Sequence, residues 1–137
     1  MIKIYTDGAC SGNPGRGGWA AIIIDGEKIE KISGASENTT NNRMELIAVI
    51  SALKYVTEQN IELFTDSKYT KDGIEKWILN WKKNGWKTAN KQDVKNIDLW
   101  KNLDQLNQEK NIQWNWVKGH ADNEYNNMAD ELARSKI

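Results

Sequence analysis

Two alternating, strand-like runs in this chain each end on an aspartate, and that arrangement restricts the fold more than any other feature. Ile2-Lys3-Ile4-Tyr5-Thr6 leads into Asp7, and Ile61-Glu62-Leu63-Phe64-Thr65 leads into Asp66; both runs have the period of a strand. Two further acids stand on helix-like stretches, Glu45 in the first turns of an apolar-periodic helix and Asp130 on the last one. Asp and Glu are seldom buried without a partner, so acids at strand ends and on core-adjacent helices need a reason. If the four converge, their repulsion has to be relieved by protons or by bound cations. Oxygen-only ligands point to a hard ion, Mg²⁺ or Mn²⁺. The outline is that of a two-metal phosphodiester hydrolase, in which two cations roughly 3.5–4 Å apart serve one phosphate.

The rest of the chain alternates around these acids. Lys3 to Thr6 reads as a strand, Gly8 to Gly18 as a turn-rich stretch, and Trp19 to Ile24 as a second strand. Asp25-Gly26 is a tight turn before a third strand, Lys28 to Ser33. Leu46, Val49, Ile50, Leu53 and Val56 give a helix over about 42–56, capped by Thr40 or Asn41. A fourth strand at 61–65 precedes a helical stretch at 68–81, broken near Asn84-Gly85. A helix at about 97–108 carries Leu99, Leu103 and Leu106. A fifth strand at 112–117 sets Trp114 and Trp116 on one side, toward the core, before a helix at about 123–134. Three antiparallel strands followed by strand–helix alternation define an α/β fold, a mixed five-stranded sheet flanked by helices.

The 137 residues fit one domain, which buries about two-thirds of its unfolded-chain surface without staples. No apolar run approaches the roughly 20 residues of a membrane span, and no signal-peptide core opens the sequence, so a cytoplasmic setting is expected. The single cysteine, Cys10, excludes an internal disulfide and suits a reducing compartment. Net charge is zero, yet unevenly spread: residues 68–101 carry nine lysines against four acids, and the segments on either side are acidic. A local basic patch can bind phosphates on a neutral protein.

Motifs along the chain now point further. Tyr5-Thr6-Asp7-Gly8-Ala9-Cys10-Ser11-Gly12-Asn13-Pro14-Gly15 resembles the opening of the type 1 ribonuclease H family. Thr39-Thr40-Asn41-Asn42-Arg43-Met44-Glu45-Leu46 is similar to that family's second acidic motif, and Thr65-Asp66-Ser67 to its third. Val117-Lys118-Gly119-His120, with Asp130 in Met128-Ala129-Asp130-Glu131-Leu132-Ala133, is similar to the last. Trp77 to Trp100 resembles the basic protrusion of bacterial members. Four acidic motifs in register are a specific signal where any one would be weak.

The resemblance implies a ribonuclease H-like fold and an endonuclease that hydrolyses the RNA strand of RNA–DNA hybrids, leaving 3′-hydroxyl and 5′-phosphate ends. It implies two Mg²⁺ ions held by Asp7, Glu45, Asp66 and Asp130, with Mn²⁺ as a substitute, and a mobile proton-transferring histidine at His120, the only one in the chain. A monomer is expected. Hybrid recognition needs contacts to 2′-hydroxyls along a shallow groove; Gly8, Cys10, Asn13, Asn41 and Asn42 offer backbone and amide groups for it. Thr40 and Asn96 match the family's pocket for a DNA-strand phosphate. Lys82, Lys83, Lys87 and Trp86 would serve the basic protrusion, lysines through phosphates and tryptophan by stacking. At Trp77 and Trp81, helical spacing favours packing over ligand contact. Three positions depart from the family pattern: Asn38 stands for an arginine of the phosphate pocket, Lys68 for a glutamine and Asn127 for a glutamate. A catalytically silent hybrid-binding module is the contrasting reading, and a related two-metal nuclease or strand-transfer enzyme a third. Retention of all four acids and of His120 favours the hydrolase.

Overall fold

The computed structural model describes residues 1–118 and 123–137. The strands are β1 (Ile2–Gly12), β2 (Gly15–Asp25), β3 (Lys28–Thr39), β4 (Asn60–Thr65) and β5 (Asn111–Trp116). The helices are α1 (Asn41–Tyr55), α2 (Lys68–Asp72), α3 (Ile78–Lys83), α4 (Ile97–Glu109) and α5 (Glu124–Ser135), with a π-helical turn, Gly73–Trp77, joining α2 to α3. The sheet order is β3-β2-β1-β4-β5. β1 pairs antiparallel with β2 and parallel with β4, and β4 pairs parallel with β5. This is the mixed five-stranded α/β sheet that the sequence pattern predicts.

Strand alternation decides which helix each face of β1 meets. Ile2 and Ile4 join the main core with Leu46, Val49 and Leu53 of α1 and with Trp100 and Leu103 of α4. Tyr5 turns to the other face, where it packs with Ile22, Ala129 and Tyr125 under α5. Asp7 shares the Tyr5 face, while Gly8 faces α1. Among the described residues no helix is long and apolar enough to cross a membrane.

The glycine-rich stretch at 8–18 is not the expected turn. β1 continues to Gly12 and β2 begins at Gly15, with Gly12 paired to Gly15 and only Asn13-Pro14 between them. A strand can carry so many glycines because neighbours approach its backbone closely. A Cβ on Gly8 would lie 2.4 Å from the Glu45 nitrogen, and one on Gly18 2.2 Å from the Ala133 oxygen. Gly8 therefore seats α1 and Gly18 seats α5 directly on the sheet. β3 likewise runs on to Thr39 instead of ending at Ser33. The helical stretch at 68–81 is divided by the π turn, where Gly73 lies against the Trp100 ring. Trp116 is a further correction. It shares a strand face with Trp114, but Trp114 packs on the core and bonds Asn107, whereas Trp116 is 42% exposed with Lys71 over its ring.

Candidate active site

The acids meet where β1, α1 and β4 come together. Asp7 is on β1 and Asp66 directly follows β4, with Thr6 and Thr65 paired just before them. Glu45 enters from the first turns of α1, which starts sharply because the Thr40 hydroxyl accepts the Arg43 N–H at 3.2 Å. Its Oε1 accepts the Gly8 backbone N–H. One carboxylate oxygen from each of Asp7, Glu45 and Asp66 lies within 4.8 Å of the others. Asp7 and Glu45 are both buried at 6% exposure, and Asp66 is half-buried. Asp130 on α5 comes within hydrogen-bond reach of Asp7 and also accepts Arg134 Nε at 3.1 Å. The structure thus brings all four acids to one place.

Electrostatics alone would disperse such a group. Burial first, then the Glu45 charge, a hydrogen bond with Asp130 and the Asp66 charge push the Asp7 carboxyl up to about 10. Burial and the Asp66 charge raise Glu45 to about 7, against opposing hydrogen bonds from Asp7, the Gly8 N–H and Ser67. Burial and mutual repulsion act on the two together, so the Asp7–Glu45 pair holds on to a proton as a unit. A proton held there to such high pH marks a place for positive charge. An oxygen-only set of this kind fits a hard dication.

Around the acids lies an open groove. One part, about 290 Å³, is lined by Asp7, Gly8, Asn41, Asn42, Glu45, Asp66, Ser67, Lys68 and Tyr69. The other, about 540 Å³, shares Asp7, Gly8 and Asn41 and adds Ala9, Cys10, Asp130, Arg134 and Ile137. Gly8, Cys10, Asn41 and Asn42 therefore stand beside the acids. Asn13 is tied in through its Oδ1, which accepts the Asn41 N–H at 3.2 Å. Thr40, not Asn41, is the cap of α1. The Cys10 thiol points at the Gly15 and Thr39 carbonyls, at 3.6 and 3.4 Å. His120 falls outside the described residues.

The remaining residues of the expected site stand apart. Lys82 and Lys83 close α3, and Trp86 and Lys87 follow it; none lines the acid groove. Lys82 pairs with Asp104 at 3.2 Å and Lys87 with Asp93. Lys83 makes no ion pair among the described residues. Trp86 is half-buried, its ring 6.0 Å from that of Trp81, with Lys101 Nζ 5.8 Å above it. Trp77 and Trp81 pack on Trp100, in keeping with their spacing. Asn96 opens α4 and bonds Arg43 and Tyr69. Those two were not singled out from sequence. The available signal was Arg43 two residues before one motif acid, with Asp98 two residues after Asn96.

The match to known proteins extends through the whole chain. The RNase H family model covers residues 1–137. A Ribonuclease H of Mesorhizobium japonicum is 58% identical over 135 residues, spanning 98% of this chain and 76% of that protein. A Ribonuclease H of Wolbachia sp. subsp. Drosophila simulans is 57% identical over 137 residues, spanning 99% and 94%. Among solved structures, LC9-RNase H1, a type 1 RNase H with the type 2 active-site motif, superposes with a TM-score of 0.84 at 30% identity, over 98% of this chain and 70% of that one. Sheet order, acid cluster and full-length match agree, and the chain belongs to the RNase H family.

Proposed function

We propose that the chain is an endoribonuclease that hydrolyses the RNA strand of RNA–DNA hybrids, leaving 3′-hydroxyl and 5′-phosphate ends, with Mg²⁺ held by Asp7, Glu45, Asp66 and Asp130. The carrying observation is the convergence of Asp7, Glu45 and Asp66, whose oxygens approach within 4.8 Å although two of these acids are buried. Two dications held by these acids would supply charge at the phosphorus and acidify the attacking water. Asp7, in the central strand, would hold the ions together with Glu45, Asp66 and Asp130, the last of which also engages Arg134.

The groove rim suits the RNA strand. Asn41, Asn42 and the backbone at Gly8 and Cys10 offer short hydrogen-bonding groups for 2′-hydroxyls, and Asn13 braces Asn41 from behind. Thr40 and Asn96 contact a phosphate of the DNA strand, while Lys82, Lys83, Trp86 and Lys87 extend that contact along the basic segment of about 77–100. His120 moves a proton at the water or at the departing 3′ oxygen. One catalytic domain acting as a monomer suffices, since a single chain contributes all four acids. A cytoplasmic setting accords with a lone thiol.

The test is cleavage of one RNA sequence presented as hybrid, as duplex RNA and as single strand, with Mg²⁺ or with EDTA. Cutting of the hybrid's RNA alone, abolished by EDTA, is expected. Tight hybrid binding without cutting in Mg²⁺ or Mn²⁺ would leave a binding module.

A further inference from the structure

Asn96 opens α4 in an unusual way. Its backbone lies in the left-handed region at φ 60°, and although it begins α4 its side chain makes no cap bond. An Asn at that position ordinarily stabilises a helix by capping it, and a residue held off the common backbone regions points to a use elsewhere. That use is a polar chain through three elements. Arg43 on α1 forks onto Asp98 at 3.1 and 3.0 Å and gives Nη1 to Asn96 Oδ1 at 3.2 Å. Asn96 Nδ2 donates to the Tyr69 hydroxyl at 3.1 Å, and Trp100 Nε1 donates to the same hydroxyl at 3.0 Å.

Donor and acceptor identities make this arrangement one-way. A guanidinium has only donors, so the Asn96 amide must turn its oxygen to Arg43 and its NH₂ to Tyr69. Tyr69 is itself clamped, its ring 5.2 Å from Trp100 and 5.5 Å from Trp77, in a packing that the absence of a Cβ at Gly73 permits. Tyr69 also lines the acid groove, and Arg43 stands two residues before Glu45. The chain of bonds therefore runs from the rim of the acid groove to Asn96.

We infer that Arg43 and Tyr69 are positioning residues for the DNA strand: they lock the Asn96 amide so that its second N–H is committed to one phosphate oxygen, in fixed register with the acids. This rests on the reading of Asn96 as a phosphate contact. Neither residue touches the scissile bond, so their loss weakens binding of ground state and transition state alike, raising KM and sparing kcat. A single hydrogen bond sets the scale, roughly 3- to 10-fold.

The experiment pairs Tyr69→Phe, Arg43→Met and Arg43→Lys with hybrids carrying one neutral methylphosphonate, moved along the DNA strand. The wild type should show one position where the neutral linkage raises KM several-fold. Tyr69→Phe and Arg43→Met should raise KM on the unmodified hybrid about 3- to 10-fold and lose the penalty at that position. Arg43→Lys, which keeps a donor for Asn96, should recover most of it. A wild type indifferent to every linkage would overturn the phosphate reading of Asn96 itself. A wild-type penalty that survives both Tyr69→Phe and Arg43→Met, in folded protein, would overturn the positioning role alone. Should Tyr69→Phe not fold, the Arg43→Met and Arg43→Lys pair decides.

Discussion

The acid groove and the basic segment handle charge in opposite ways. In the groove, Asp7, Glu45 and Asp66 face one another within 4.8 Å, two of them buried. Between residues 68 and 104 four lysines find carboxylate partners among the described residues, Lys71 with Glu75, Lys76 with Asp72, Lys82 with Asp104 and Lys87 with Asp93, and the other lysines leave the segment basic. Such exposed pairs are screened by solvent and contribute little to stability, so the segment owes its shape to the ring cluster of Tyr69, Trp77, Trp81 and Trp86 around buried Trp100. The groove is held together against its electrostatics by strand pairing and by close backbone contact at Gly8. One region gathers like charges that only protons or cations can relieve; the other spreads unlike charges over an exposed surface.

The sharpest way to break this contrast is Asp7→Asn. Cleavage should fall at least about 10³-fold, roughly 4 kcal/mol of transition-state stabilisation, while the metal-free protein should gain stability. The sign follows from linkage. Folded Asp7 and Glu45 keep protons to higher pH than in the unfolded chain, so the stability they confer is complete below about pH 4. It is lost as pH rises through about 7 for Glu45 and about 10 for Asp7. Glu30, Asp93 and Asp98 are shifted down by their hydrogen-bond partners, Tyr55, Lys87 and Arg43 respectively, and titrate below that window. In EDTA the melting temperature should decline from pH 5 to pH 9, and Mg²⁺ or Asp7→Asn should each flatten the decline. A level wild-type profile would mean that the acids do not crowd one another.

His120→Ala comes next, with kcat lower by about 10²-fold and KM little changed; an unaltered rate would remove imidazole from the chemistry. Two glycines then separate the regions. Gly8→Ala and Gly73→Ala should each cost about 1–3 kcal/mol in urea unfolding, because each Cβ meets an occupied position, at Glu45 and at the Trp100 ring. The first should lower kcat and the second raise KM, and the reverse pattern would dissolve the division of labour. The smallest effect belongs to Lys83→Ala. It should raise KM about 2- to 3-fold at low salt and reduce the salt slope by about one, with Lys82→Ala weaker because Asp104 already engages that amine.

Sequence periodicity located α1, α4 and α5 and the centres of all five strands, because each carries a contiguous local pattern. It misread Gly8 to Gly18, where the glycines report neighbours and not turns. Contact with Glu45 and Ala133 is a long-range property that no local window contains. The π turn was equally hidden, since its register is set by the fit of Gly73 to Trp100. Period-two reasoning placed Trp116 with Trp114 correctly on one face, but β5 is an edge strand and its last residue passes beyond cover. At the site, the four acids were legible through their motifs. The bracing by Arg43, Asp98 and Tyr69 was not, because those partners lie far apart in sequence and meet only through the packing of α1, α2 and α4.

Gly18, pressed against the carbonyl of Ala133, lets α5 lie back across β1 and β2 and carry Asp130 to Asp7. During translation, at roughly 5–20 residues per second, β1, α1 and β4 leave the ribosome several seconds before that helix does. A growing polypeptide therefore holds three acids without the fourth. On the proposed metal-binding role of Asp130, cutting power arrives only with α5, and ribosome-tethered chains stalled before Glu124 should be inert on hybrids that the released protein degrades.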